Sequence, residues 1–154
     1  MGIAERLRQL SIQLPKPPNP VANFSNFTIT NNLLYISGQG PIEADGKRHT
    51  GKVGIEFSLE EAQSMARLAA VNIVAVLNTA LEGDWNKLAH FIKINGYVNS
   101  IETFYRQPEV MNGCSDLLVQ LFGDQGCHAR TAIGVCVLPF NIPVEIEAIV
   151  ALRT

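Results

Sequence analysis

Charge is scarce in this chain: only 17% of its 154 residues are Asp, Glu, Lys or Arg, and 12 basic against 14 acidic side chains leave a formal net charge of −2. Without a surplus of positive charge there is no field to hold a polyanion, so nucleic acid is not expected as a partner. Long apolar runs are missing too. Stretches such as Leu33–Ile36 and Ile149–Leu152 are far shorter than a bilayer crossing, and Glu5, Arg6 and Arg8 break up the N-terminal apolar residues, so neither an anchor nor a secretory signal is expected. Cysteine is limited to Cys114, Cys127 and Cys136, an odd number with no Cys-x-x-Cys spacing. That argues against a disulfide framework and a structural zinc site, and suits free thiols, expected to be buried as small apolar residues, in a reducing cytoplasm. His49, His90 and His128 are scattered and no His-x-x-x-His occurs, so no metal is expected. Gly38-Gln-Gly40 lacks both the glycine spacing of a dinucleotide loop and the lysine of a phosphate loop, and reads as a turn. No cofactor is therefore called for. Ser25, Ser37 and Ser115 sit in no nucleophile-elbow sequence, which leaves covalent catalysis without support.

What is present is apolar material, 47% of the chain, enough at this length for one well-buried core. Ile3, Leu7 and Leu10 have helical spacing and lead into Leu14-Pro-Lys-Pro-Pro-Asn-Pro20, which no helix crosses. Residues 1–20 thus read as a helix and proline-rich arm, and 21–154 as a single domain. Alternation over Phe24–Thr30, then Asn31-Asn32, then Leu33–Ser37 predicts a β-hairpin. Gly38 to Gly54 is rich in turn formers and predicts a surface loop. Ser58 with Glu61 forms a capping-box pattern ahead of a helical periodicity that runs to Leu81. Phe91, Lys93, Asn95 and Tyr97 alternate with Ile92, Ile94 and Gly96 as in a strand. Val110, Met111, Cys114, Leu117, Leu118 and Leu121 mark a second helix, ended by Gly123 and Gly126. Strands over Arg130–Leu138 and Val144–Leu152 follow, divided by Pro139 and Pro143. The order β-β-α-β-α-β-β predicts an α+β fold, a mixed sheet with two helices packed on one face.

Two strands carry candidate chemistry. Along His128-Ala-Arg-Thr-Ala-Ile-Gly-Val-Cys136, alternation sets Ile133, Val135 and Val137 on one face, expected to meet the helices, and Arg130, Ala132, Gly134 and Cys136 on the other. A guanidinium beside two nearly bare positions leaves room for a small ligand, and its planar donor fork matches a carboxylate. A strand-end arginine in solvent or in a subunit salt bridge is the plainer alternative. In the last strand Glu145 and Glu147 share one face roughly 6–7 Å apart. Their repulsion favours an upshifted pKa suited to proton transfer with water, against the plainer reading of a solvated or ion-paired strand face.

Ser37-Gly-Gln-Gly-Pro41, Ala129-Arg130 opening a strand, Leu138-Pro139 and Val144-Glu-Ile-Glu-Ala-Ile149 together resemble the RidA (YjgF) family, also labelled endoribonuclease L-PSP or translation inhibitor proteins. The resemblance covers about Pro20 to Leu152. Arg130 and Glu145 stand fifteen residues apart, as the family's key arginine and glutamate do. The resemblance implies a chorismate-mutase-like fold and a homotrimer with small-ligand clefts between subunits. It implies that Arg130 anchors the carboxylate of a reactive enamine or imine of the 2-aminoacrylate type, while Glu145 orients the water that releases a 2-keto acid and ammonia. Asn112, Gly38, Phe24 and Ala132 would line the cleft. Three positions depart from the family's pattern: Phe24 replaces a tyrosine, Ala132 a cysteine and Gly134 a glutamate. A trimer that binds a small carboxylate without turnover is therefore a second expectation. Ribonuclease or translation-inhibitor activity, suggested by the family labels alone, is a third that the acidic charge balance disfavours.

Overall fold

The computed structural model describes residues 2–20 and 22–153. Met1, Val21 and Thr154 lie outside it, so the expected boundary between arm and domain falls beside an undescribed residue. Eight elements follow in order: α1 (Ile3–Gln9), β1 (Phe27–Thr30), β2 (Leu33–Gln39), α2 (Leu59–Ala80), β3 (Leu88–Asn99), α3 (Gln107–Phe122), β4 (Ala129–Val135) and β5 (Val144–Leu152). The strands form one mixed sheet in the order β1-β2-β5-β3-β4, in which only β3 and β4 run parallel. Helices α2 and α3 cover one face, as the apolar periodicities predict.

Helix α2 starts where the sequence says it should. Ser58 accepts from the Glu61 backbone N–H while Glu61 accepts from the Ser58 N–H, which satisfies two otherwise orphaned donors. Its buried stripe of Ala62, Ala66, Ala69, Ile73, Val76 and Leu77 lies over Leu34, Ile36, Ile146, Ala148 and Val150 of the sheet. Each large side chain of this kind contributes about 1.5–3 kcal/mol by leaving water. The two helices press close because Gly113 sits against the Gln63 backbone: a Cβ there would lie 2.0 Å from the Gln63 carbonyl oxygen. The short α1 docks on α3 through buried Leu7 and an Arg6 Nη1 bond to the Leu121 carbonyl, 2.8 Å.

Several expectations are corrected here. The first strand begins at Phe27, leaving Phe24 ahead of it, and β4 ends at Val135 rather than Leu138. In β3, register irregularities between Leu88 and His90 and between Phe91 and Lys93 turn Phe91 into the core, while Lys93, Asn95 and Tyr97 line the uncovered face.

The faces of β4 are the reverse of those expected. Parallel pairing sets Arg130 beside Ile94, Ala132 beside Gly96 and Gly134 beside Val98. Paired residues share a face, and Ile94 and Val98 are fully buried under the helices, so Arg130 must point that way too. Ile133 is left 46% exposed on the uncovered face, and Val137, beyond the strand, is 71% exposed. Hydrophobicity along β4 misled because this edge strand gives its larger apolar side chain to the open face.

Candidate functional site

Arg130 is held by the helix it faces. Its Nη1 donates to Asn112 Oδ1 at 3.0 Å and to Ser115 Oγ at 3.1 Å, both on α3. No carboxylate among the described residues lies within salt-bridge distance of the guanidinium, and its Nε and Nη2 make no hydrogen bond to them. One edge of the fork is therefore fixed and the other is open to a ligand. Ala132, the next residue on this face, packs its methyl against the core.

Ser115 and His128 extend this network, although no sequence motif joins them. His128 Nδ1 lies 2.6 Å from the Gly126 carbonyl, which can only accept, so Nδ1 carries the proton. His128 Nε2 is then free to accept from the Ser115 hydroxyl at 3.0 Å. Burial pushes the imidazole pKa down, the Gly126 bond opposes that, and the Arg130 charge adds to the lowering. A neutral histidine thus orients a serine that orients the arginine. The 3-10 turn Gly123–Gly126 is what carries His128 back over α3. Cys114, one residue before Ser115, is a buried apolar residue whose thiol is pushed up to about 12 by burial.

Glu145 occupies a different environment. Strand β2 bulges between Ile36 and Gln39, and Gly38 in the bulge gives its space to the carboxylate: a Cβ there would lie 2.1 Å from Glu145 Oε1. Glu145 lines a small cavity of about 130 Å³ with Gly38, Arg48, Phe140 and Ile142. The Arg48 guanidinium sits over the Phe140 ring, 4.3 Å from its centroid. Burial, and then repulsion from Glu147, pushes the Glu145 pKa above its ordinary value. Glu147 is tethered, accepting from Asn95 Nδ2 at 2.9 Å and from Tyr97 Oη at 3.0 Å. The bulge is tied to the segment before β1 by Ser37, whose hydroxyl donates to the Ser25 carbonyl at 2.6 Å. Phe24, next to Ser25, is 54% exposed.

The six sequence candidates fall into two groups. Arg130, Ala132 and Asn112 lie together between β4 and α3; Glu145 and Gly38 meet at the β2 bulge, with Phe24 beside it. Within one chain the groups do not meet. Arg130 pairs with Ile94, and Ile94 with Ala148; Glu145 pairs with Tyr97, and Tyr97 with Ile133. The two side chains thus point to opposite faces, about 10 Å apart across the sheet and about 10 Å along it. Among the described residues no helix is long and apolar enough to cross a membrane, and no group of three or more His, Cys, Asp or Glu could hold a metal.

Residues 4–150 match the family model described as "YjgF/chorismate mutase-like, putative endoribonuclease". Protein TCP17 of Trypanosoma cruzi is 38% identical over 152 residues, 98% of this chain and 94% of that protein. The crystal structure of Atu1372 from Agrobacterium tumefaciens, a protein of unknown function, is 46% identical and superposes with a TM-score of 0.90 over 98% of this chain and 94% of that one. A 2-iminobutanoate/2-iminopropanoate deaminase from Dermatophagoides farinae is 29% identical over 92% of this chain and 95% of its own length.

Proposed function

Because the chain belongs to the YjgF/chorismate mutase-like family, we propose that it hydrolyses small 2-imino or enamine acids to 2-keto acids and ammonia, in clefts completed between the subunits of a homotrimer. The observation that carries this reading is the state of Arg130. Its Nη1 edge is clamped by Asn112 and Ser115 while Nε and Nη2 remain free for the two oxygens of a substrate carboxylate. The name of the mite relative supplies the reaction class.

In this scheme Arg130 fixes the acid so that its C=N carbon faces the bulge of a neighbouring subunit. There the ionised Glu145 accepts a proton from water as the oxygen attacks the carbon of the protonated imine and the C=N π electrons become the lone pair of a neutral amine. The carbinolamine then collapses: Glu145 gives its proton to the amine nitrogen, the C–N bonding pair leaves with ammonia as the C=O bond forms, and Glu145 takes up the hydroxyl proton. The imine carbon is already electrophilic, so positioning and one proton acceptor supply most of what the step needs. An upshifted carboxylate suits this work because a raised pKa makes it a better proton acceptor when ionised. Phe24 and Gly38 form the wall on the Glu145 side, and Ala132 the floor on the Arg130 side.

The trimer is supported by the separation of the two groups on opposite faces of the sheet. It is supported also by the uncovered face, where Ile133 and Tyr35 are exposed and Tyr35 lies beside Ile149. Cyclic symmetry lets the β4 end of one subunit meet the β2 bulge of the next three times over. Cys127 and Cys136, exposed rather than buried as expected, are free thiols that suit a reducing cytoplasm as the site of action.

The test is a coupled assay in which a pyridoxal-phosphate dehydratase generates the imine and keto-acid release is timed. Acceleration over buffer that is lost in Arg130→Ala is expected; no acceleration, or acceleration that survives the substitution, removes the reading. Phe24 favours a second reading, since it offers no hydroxyl to the reacting nitrogen: a trimer that holds a keto acid without turnover. Calorimetric binding of 2-oxobutyrate, abolished by Arg130→Ala and accompanied by no catalysis, would select it.

A further inference from the structure

A cavity lined by two arginines lies where α1, the last turn of α3, the start of β3 and the end of β5 meet. It measures about 290 Å³, at the lower edge of small-molecule pockets, and its walls include Arg6, Arg153, Trp85, Asn86, Phe122 and Gln125. Neither Arg130 nor Glu145 lines it, so an occupant here is independent of the acid site proposed above.

Both guanidiniums are aimed by backbone carbonyls rather than by acids. Arg6 Nη1 donates at 2.8 Å to the carbonyl of Leu121, in the last turn of α3, where carbonyls lack a partner inside the helix. Arg153 Nε donates at 2.9 Å to the carbonyl of Leu88, beside the register irregularity of β3. Gln125 Nε2 donates to that same oxygen at 3.0 Å and to the Ala89 carbonyl at 2.9 Å, which holds the surroundings of Arg153 in place. Each arginine thus spends one nitrogen on a fixed backbone atom. Arg6 Nε and Nη2, Arg153 Nη1 and Nη2, and the Trp85 indole N–H make no hydrogen bond to the described residues. No Asp or Glu lines the cavity, and neither arginine is in a salt bridge among the described residues.

Two like charges that face one space repel, and a partly buried setting screens them less than open water does. An anion between them removes that cost and takes up donors otherwise left to solvent. The shape of the anion follows from the directions of approach. Arg6 comes from α1 and Arg153 from the end of β5, so acceptor oxygens must point both ways. A carboxylate has its two oxygens in one plane and is filled by a single guanidinium fork. A phosphate monoester offers three oxygens in a tetrahedral array and up to two charges, enough for both arginines and the indole. The cavity has the liquid volume of about ten water molecules, more than a phosphate group alone fills. Ile3, Trp85 and Phe122 supply an apolar wall for the rest of the ester.

We propose that this cavity binds a small phosphate monoester whose phosphate bridges Arg6 and Arg153. The bridge is also a clasp: Arg6 belongs to the first helix and Arg153 follows the last strand, so the ligand ties α1 to the sheet. Only the folded chain brings the two arginines together, so the ligand raises the melting temperature as its concentration passes Kd.

Trp85 is the only tryptophan of the chain, so its emission reports this cavity directly. Glycerol 3-phosphate is the probe, titrated at constant ionic strength alongside acetate and succinate. A saturable change in emission is expected, at least about tenfold tighter than with either carboxylate, together with a rise in Tm. Arg6→Gln and Arg153→Gln should each weaken binding at least about tenfold, the loss of charge-assisted bonds from one guanidinium, while Arg130→Ala leaves it unchanged. Arg153 lies outside α1, so its variant keeps the test decisive if Arg6→Gln loosens that helix; an unliganded emission spectrum like the wild type's shows the cavity intact. A response no tighter than that to acetate, tighter binding of succinate, binding that survives both arginine substitutions, or binding lost in Arg130→Ala would overturn the proposal.

Discussion

The two halves of the candidate site are built in contrasting ways. At the β4 end a permanent cation is oriented in advance: Asn112 and Ser115 take one guanidinium edge, and His128 fixes the serine. At the β2 bulge an acid is left with a movable proton, half-buried over Gly38 and pressed by the charge of Glu147. A group that binds a carboxylate needs a fixed direction and a charge that never changes, and arginine within a hydrogen-bond network has both. A group that shuttles a proton needs the charged and neutral forms close in free energy, which burial and a like charge arrange. Because the two side chains point to opposite faces of the sheet, they do not meet within one chain.

Mixing subunits is the strongest way to break this contrast. Arg130→Ala and Glu145→Gln should each lower kcat/KM about 10²–10³-fold, the usual cost of losing a key electrostatic or proton-transfer group. If every site draws Arg130 from one subunit and Glu145 from its neighbour, trimers reassembled from equal amounts of the two variants contain intact sites. Random assembly makes about one site in four wild-type in both positions, so about a quarter of the activity returns. No recovery in a mixture shown by mass spectrometry to contain mixed trimers would mean that both residues serve the same subunit's site.

Legibility in the sequence followed the same division. Helix α2 was readable to within a residue because its capping box and its apolar stripe are local signals, and β5 because its strict alternation matches one buried face. Arg130 and Glu145 were readable as a pair only through a family's spacing; periodicity alone placed Arg130 on the wrong face. That face is decided by register with β3, a long-range fact that a run of seven residues does not encode. The Ser115–His128 bond was hidden for a related reason: thirteen residues separate them, and only the glycine-flanked turn after α3 closes the distance. Gly123 and Gly126 were visible as helix-ending residues, which could have prompted a search for what the turn brings back over α3.

A smaller effect sharpens the cationic half. Arg130→Lys keeps the charge and loses the planar fork, so affinity for a 2-keto acid should fall about 10–100-fold in calorimetry. A fall of less than about threefold would show that a point charge suffices. Smaller again are Ser115→Ala and His128→Asn, which leave the guanidinium intact but loosen its aim. Each should raise KM or Kd about 3–10-fold while kcat stays within about twofold, the cost of one lost hydrogen bond to a charged group that is partly open to water. An equal drop in kcat would instead place Ser115 or His128 at the reacting atoms.

The smallest expected effect concerns Glu145 and has opposite signs for stability and activity. Its pKa in the folded chain is raised, first by burial and then by Glu147, so the folded state binds this proton more tightly than the unfolded one. The stabilisation is complete below the ordinary value of 4.5 and is lost as pH rises through the raised value. Above that, the ionised carboxylate burdens the fold with a half-buried charge that Glu145→Gln removes. The variant should therefore melt about 1–3 °C higher than the wild type at pH 7.5, with the difference shrinking toward zero at pH 4, where both side chains are neutral. Over the same interval wild-type kcat/KM should climb with pH as the base form appears, and the residual activity of Glu145→Gln should stay flat. A variant that melts lower at pH 7.5 would mean that Glu145 is ionised because the fold favours it, and would strip the bulge of its role as a proton acceptor.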